Sequence, residues 1–317
     1  MSSKALIYGA GGQDGVFLSR LLSGKGYEVA GVFRLKPAVL PEGIIRPYFA
    51  DLAGEPQDYL APIEDFAPDE IYNLAAFHRH EFTFENRQAA FSANAEAPRQ
   101  MLHRISGMGG NARFFQASSA YVYGGRGGKV DERTPPAPNS PYGESKLAAQ
   151  QAVAQARQRG VFACSGILFN HESPLRGESF VTRKISSFAA RAHLGMEKGK
   201  LVLGNLESKR DWGYAGDYVE AMWLMLQMQK PDDYVVATGE THTVRQFCQE
   251  AFSCVGLDYK EYVESSPSLS RADETSIEAD PSKAKRALGW KPKVGFKGLV
   301  KIMVEADMAL LKGGGRA

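Results

Sequence analysis

Tyr142 and Lys146 stand in the run SPYGESK with the spacing Y-x-x-x-K, at the start of a helical pattern. Residues four apart share one helix face, so the phenol and the ammonium point the same way. A nearby cation favours the phenolate, and a tyrosine so placed can take or return the proton of a hydroxyl while a hydride moves. Ser119, in QASSAYVYGG, offers a second hydroxyl at the end of an apolar run. The spacing Y-x-x-x-K is common by itself. It gains meaning from G-x-x-G-x-x-G at Gly9, Gly12 and Gly15, between a short apolar run and a helical one. The first glycine permits a tight turn, the second a close approach of backbone to a pyrophosphate. The third lets helix and strand pack closely, with the helix N-terminus facing the phosphates.

The two motifs together predict hydride transfer with a dinucleotide. The expected cofactor set is Gly9, Gly12, Gln13, Asp14, Gly15, Arg34, Asp51, Leu52, Leu74 and Ala75, with Tyr142 and Lys146 at the reacting end. Arg34 ends the second apolar run, where sites that prefer NAD carry Asp or Glu. An arginine there suits a 2′-phosphate, so NADP is expected, with NAD as the alternative. The bland reading of Arg34 is a solvated basic loop.

These residues need a scaffold, and the chain supplies one. KALIYGAGGQDGVFLSRLLSGKGYEVAGVFR reads as strand, turn, helix and strand. The rhythm repeats through IRPYFAD, QDYLAPIEDF, EIYNLAA, a long helix near 84–106, ARFFQASS, a helix over 141–159 and VFACSGILF. Alternation of this kind implies α/β architecture, a Rossmann-type doubly wound parallel sheet. After about residue 170 the segments shorten and mix, which reads as a smaller α+β substrate-binding lobe. The expected division is 1–168 for the dinucleotide-binding domain and mainly 169–317 for the lobe, with chain crossings between them. In DPSKAKRALGW, Asp280 is the expected N-cap and Pro281 the first helical residue.

Bulk properties bound the rest. The 317 residues carry a net charge of +2, with 23% charged and dispersed Lys and Arg, so no nucleic-acid partner is signalled. The three cysteines, Cys164, Cys248 and Cys254, have neither disulfide nor metal spacing. No apolar run approaches the ~18 residues that span a bilayer. A soluble, cytoplasmic, metal-free protein with no membrane partner is expected.

At nearly full length the chain resembles the extended short-chain dehydrogenase/reductases that act on nucleotide sugars, and most closely the GDP-mannose 4,6-dehydratases. The resemblance rests on GGQDG, GKGYEVAGVFR, EIYNLAA, SPYGESKLAA, GILFNHESPLRGESFVTRKIS, LGNLESKRDWGYAGDYVEAMWLMLQ, VVATGETHTVRQF and DPSKAKRALGWKPKV. It implies a GDP-sugar substrate and a homodimer or homotetramer. It also implies that Asn170, Thr182, Arg183, Lys184, Asn205, Arg210 and Arg271 face the GDP-sugar. Arg210 and Arg271 would grip the diphosphate, which suits forked guanidinium donors. His171 and Arg176 would lie near the cofactor.

One position departs from the family pattern. In these dehydratases C4 is oxidised, the C5 proton is then removed, and the C6 hydroxyl leaves. The resemblance implies Thr and, two residues later, Glu for this work; the chain has Ser119 and Tyr121. Period-2 alternation would put both on one face if the strand persists. Serine keeps the hydroxyl, whereas tyrosine removes the carboxylate. With a pKa near 10, roughly one tyrosine in a thousand is ionised at neutral pH. Three readings follow: Tyr121 is tuned by a neighbour; His78 or His80, in FHRHEF, supplies the base near the sugar; or no base is needed. In the last case the enzyme is a GDP-sugar 4-epimerase or 4-keto reductase. A non-enzymatic cofactor sensor is the remaining class.

Overall fold

A computed structural model describes residues 2–77, 86–124, 126–269 and 276–313. Its frame is a seven-stranded parallel sheet. In chain order the first five strands are β1 (Lys4–Tyr8), β2 (Glu28–Phe33), β3 (Ile44–Phe49), β4 (Glu70–Asn73) and β5 (Arg113–Ala117). A short strand, β6 (Gly128–Val130), lies outside the sheet; β7 (Ala163–Leu168) returns to it. The small strands β8 (Asn170–Glu172), β9 (Leu201–Leu203), β10 (Lys209–Arg210) and β11 (Trp212–Tyr214) follow. Next come β12 (Tyr234–Val236), β13 (His242–Thr243), β14 (Val263–Ser265) and β15 (Ile277–Ala279). The sheet order is β12-β7-β5-β4-β1-β2-β3. The order reverses between β1 and β4, which opens a crevice beyond their carboxyl ends.

Period-2 alternation decides which helices cover each face. Ala5 and Ile7 of β1 pack with helices α1 (Gln13–Gly24) and α7 (Ala215–Gln227), whereas Leu6 and Tyr8 pack on the other side. That side is covered by α2 (Pro56–Phe66), α4 (Ala97–Gly107) and α5 (Pro141–Gln158). Helix α3 (Arg87–Phe91) leads into α4 through a π turn at Ser92–Glu96. The sequence predicts one unbroken helix there. Pro98, which has no N–H to donate, lies in the first turn of α4 just beyond the wider turn.

A third core holds the lobe: α6 (Val181–His193), α8 (Val244–Ser253) and α10 (Phe296–Lys312) close around Ile185, Phe247, Phe252 and Met303. The lobe is not built from one unbroken stretch of chain. Helix α7 and strand β12, both from the second half, return to the Rossmann sheet, and β12 pairs with β7. Helix α9 (Ser282–Ala287) starts one residue later than expected, with Pro281 at the cap. Asp280 still satisfies the first turn, accepting from Ser282 N at 3.0 Å.

Candidate active site

The glycine turn leaves β1 and enters α1. Gly9 has φ +80°, and a Cβ there would lie 2.8 Å from Ala75 N, so the turn presses on the residues after β4. A Cβ on Gly15 would meet Gly9 O at 2.4 Å. Gly12 N donates to Gly9 O at 3.0 Å, and no side chain caps the first turn of α1. That leaves backbone donors at a helix N-terminus beside a cradle that any larger residue would fill, which fits a bound diphosphate.

Of the other expected cofactor residues, Leu74 and Ala75 adjoin this turn. Leu74 N bonds to Tyr8 O, and Ala75 abuts Gly9. Arg34 is exposed, its guanidinium 5.6 Å from the centre of the Phe77 ring. The Asp51 carboxylate turns back on Ala53 N at 2.9 Å, and Leu52 is buried in the core.

Strand β5 ends at Ala117, and a 3₁₀ turn over Ala120–Tyr123 follows, with Ser119 as its N-cap. The strand does not persist through Tyr121, so alternation does not place that residue; the turn does. Tyr121 lies edge-on to Tyr142, ring centres 5.7 Å apart. Ser119 Oγ accepts from Tyr121 N at 3.3 Å and shares a hydrogen bond with Tyr142. Ser140 caps α5, accepting from Gly143 N at 3.2 Å, with Pro141 behind it in the first turn. One turn further, Lys146 is 2% exposed and donates from Nζ to Ala117 O at 3.0 Å. Helix α5 thus pins the strand end through its own catalytic candidate.

The electrostatics differ from the expectation drawn from spacing. Burial pushes the Tyr142 phenol up to about 12; the Ser119 hydrogen bond and the Arg176 charge pull against it. Burial also lowers Lys146 to about 8, and Asp14 partly offsets this. The protein by itself does not make Tyr142 a phenolate. The pair is poised for a further positive charge in the site, which an oxidised nicotinamide would bring.

Asn94 is a residue that sequence reasoning missed. It lies in the π turn, and its Oδ1 accepts from Phe77 N at 2.8 Å. Its Nδ2 donates to Phe77 O at 3.0 Å and Ser145 Oγ at 3.2 Å. The widened turn aims one amide at both Phe77, beyond β4, and Ser145 of α5. Pro98 was its one sequence signal.

On the lobe side the expected residues separate into two groups. Asn205 and Arg210 line a cavity of about 420 Å³ with Gly128, Ser208, Lys209 and Glu278. Asn170 begins β8, paired with Trp212 of β11, and Lys184 is exposed. Thr182 and Arg183 are engaged within the protein. Thr182 donates to Glu172 at 2.7 Å, and Arg183 binds Asp307, Pro174 O and Arg176 O. Their side chains hold the lobe together, so any substrate contact there falls to the backbone and to Lys184. Arg176 stacks on Phe180 at 3.6 Å and pairs with Glu172. His171 bonds Asp14 through Nε2 at 2.8 Å. His78, His80 and Arg271 lie outside the described residues.

Among the described residues no cluster of His, Cys, Asp or Glu could hold a metal ion, and no helix is long and apolar enough to cross a membrane.

The chain is similar over nearly its whole length to known nucleotide-sugar enzymes. GDP-mannose 4,6 dehydratase 2 of Arabidopsis thaliana is 44% identical, over 97% of this chain and 87% of its own. The human GDP-mannose 4,6 dehydratase is 38% identical, over 97% and 92%. Among solved structures, the UDP-glucose 4-epimerase of Thermus thermophilus, in complex with NAD, superposes with a TM-score of 0.82 at 26% identity. That match covers 96% of this chain and 98% of the epimerase. The family profile described as GDP-mannose 4,6 dehydratase matches residues 6–303, and the chain belongs to that family.

Proposed function

We propose that this enzyme oxidises C4 of a GDP-sugar, GDP-mannose first among candidates, and carries the 4-keto sugar on to loss of water between C5 and C6. The observation that carries this reading is the convergence of Ser119, Tyr142 and Lys146 beside the glycine turn. Gly9, Gly12, Gly15 and the start of α1 would hold the dinucleotide, and Arg34 would favour NADP. When bound, the nicotinamide supplies the hydride acceptor. Tyr142 takes the proton of the C4 hydroxyl, and Ser119 holds that oxygen in line. Lys146 steadies the phenolate from the next turn of α5 and ties it to Ala117. Once C4 is a ketone, the C5 proton is acidic; its loss with the C6 hydroxyl expels one water, and the hydride taken from C4 would then be returned to C6 with a proton to C5, so that the net change is one water lost. Asn205 and Arg210 would receive the nucleotide end.

A second reading has its own observation. Tyr121 occupies the position where the resemblance implies a carboxylate, with its ring against Tyr142. A 4-epimerase or 4-keto reductase needs Ser119, Tyr142 and Lys146, and no carboxylate at 121. Incubation with NADP and GDP-mannose, followed by product mass, separates the two. Loss of one water supports dehydration. Unchanged mass with altered stereochemistry supports epimerisation, and NADPH consumption with a 4-keto sugar supports reduction. Tyr142→Phe should lower turnover by about 10²–10⁴ in either case, and full activity in that variant would remove the catalytic assignment.

A further inference from the structure

We propose that His171 is a cation that neutralises Asp14 inside the phosphate-binding turn and latches that turn to the strand entering the substrate lobe. The inference deepens the dinucleotide reading above and gives both residues a role through each other rather than through contact with the cofactor.

The geometry fixes the protons. His171 Nδ1 lies 2.7 Å from Phe169 O, and Nε2 lies 2.8 Å from Asp14 Oδ2. A carbonyl only accepts, so Nδ1 carries a hydrogen. The other proton of the pair belongs to the more basic group, which is imidazole rather than carboxylate. The ring is thus doubly protonated, held flat against Tyr218 of α7 with centres 4.6 Å apart. Its charged and titratable neighbours are Asp14 from α1, Arg176 from the loop beyond β8, and Tyr218. Burial is the largest influence on each group and opposes its charge, but the partner's charge and hydrogen bond, with Phe169 O on His171 and Gln13 and Arg176 on Asp14, together outweigh it, so His171 is raised and Asp14 lowered.

The bond does not stand alone. Gln13 Nε2 donates to His171 O at 3.1 Å, and Gln13 Oε1 accepts from Ser173 Oγ at 2.8 Å. Two adjacent residues of α1 are therefore buckled to residues 171–173. The first pair opens the helix that faces the phosphates; the second leads directly to Arg176 and α6.

Charge gives the latch its chemical consequence. Asp14 sits in the first turn of α1, where a lone carboxylate would repel a diphosphate. Its charge also raises Tyr142, so a bare carboxylate would oppose the phenolate. The imidazolium cancels both effects while keeping the bond.

Two measurements on the full chain test this. In ¹⁵N-histidine-labelled protein at pH 7, with His171 assigned by the loss of its signals in His171→Gln, both ring nitrogens should show imidazolium shifts. A neutral tautomer overturns the proposal. Second, NADPH titration by fluorescence compares wild type, His171→Gln and His171→Gln/Asp14→Asn. The single variant should bind about tenfold more weakly, as expected for a buried charge left uncompensated. The double variant should recover most of that loss. Unchanged binding in His171→Gln, or no recovery in the double variant, overturns it, because a purely structural role would not be rescued by removing the second partner. Neither readout involves the sugar. Rescue without turnover of GDP-mannose would count against the proposed reaction and for the latch; turnover without rescue would do the reverse.

Discussion

Lys146 shows at the scale of one residue what the site costs the fold. Its ammonium is 2% exposed, with Ala117 O as its acceptor. Burial lowers its pKa to about 8, so the charged form is disfavoured in the folded state. The penalty is full below about pH 8. It fades as pH rises toward the unfolded value of 10.5, because above that the lysine is neutral in both states. Lys146→Met should therefore raise the melting temperature of the cofactor-free protein at pH 7 by an amount worth about 1 kcal/mol or more, while turnover collapses. The advantage should shrink in melts at pH 10. A variant less stable than wild type at pH 7 would mean that the bond to Ala117 O outweighs desolvation. Tyr121 is the second decisive residue. Tyr121→Glu restores a carboxylate beside Tyr142, and water loss measured by product mass should rise by about 10²–10⁴ if that group is the limiting acid–base. No increase would place the limit elsewhere in the pocket.

At the scale of elements, the strand-end turn and α5 act as one unit. A Cβ on Gly143 would lie 2.5 Å from Tyr121 O, backbone against backbone. Gly143→Ala should cost about 1–3 kcal/mol in denaturant unfolding and should reduce turnover further than the stability loss explains, because it pushes Ser119 away from Tyr142. Wild-type turnover in this variant would show that the close approach is not required. The motif itself was legible: Y-G-x-x-K, the Ser140 cap and the glycine turn each follow from local chemistry. What sequence could not supply was the side-chain partnership across long separations. Asn94 looked like an ordinary helical residue, and only the π turn aims it at Phe77 and Ser145. The resemblance implies that Arg183 faces the GDP-sugar, and only the packing of α10 shows that Asp307 engages its guanidinium. Tyr121 was expected on one face with Ser119 by strand alternation; it arrives there by a 3₁₀ turn instead.

At the scale of the molecule, the lobe is held together by buried charge as well as apolar packing. Asp307, near the end of α10, accepts from Arg183 and from Ser186 Oγ, and is 2% exposed. The same guanidinium reaches Pro174 O and Arg176 O, so the last long helix steadies the loop that carries Arg176 toward Asp14 and Tyr142. A buried pair of this kind contributes little against an apolar replacement, yet breaking it from one side leaves a charge without a partner. Asp307→Ala should therefore cost about 3–5 kcal/mol in denaturant unfolding, and Arg183→Met/Asp307→Leu should recover much of that. The double variant removes the guanidinium that holds Pro174 O and Arg176 O, and the single variant removes the carboxylate that anchors it, so GDP-sugar binding should weaken in both, even where stability returns. NADPH binding at the glycine turn should change less, since His171, Gln13 and Ser173 still fasten it. Isothermal titration of each variant with GDP-mannose and with NADPH reads the two effects apart. Equal losses for the two ligands would mean that α10 supports the whole molecule without favouring the sugar side.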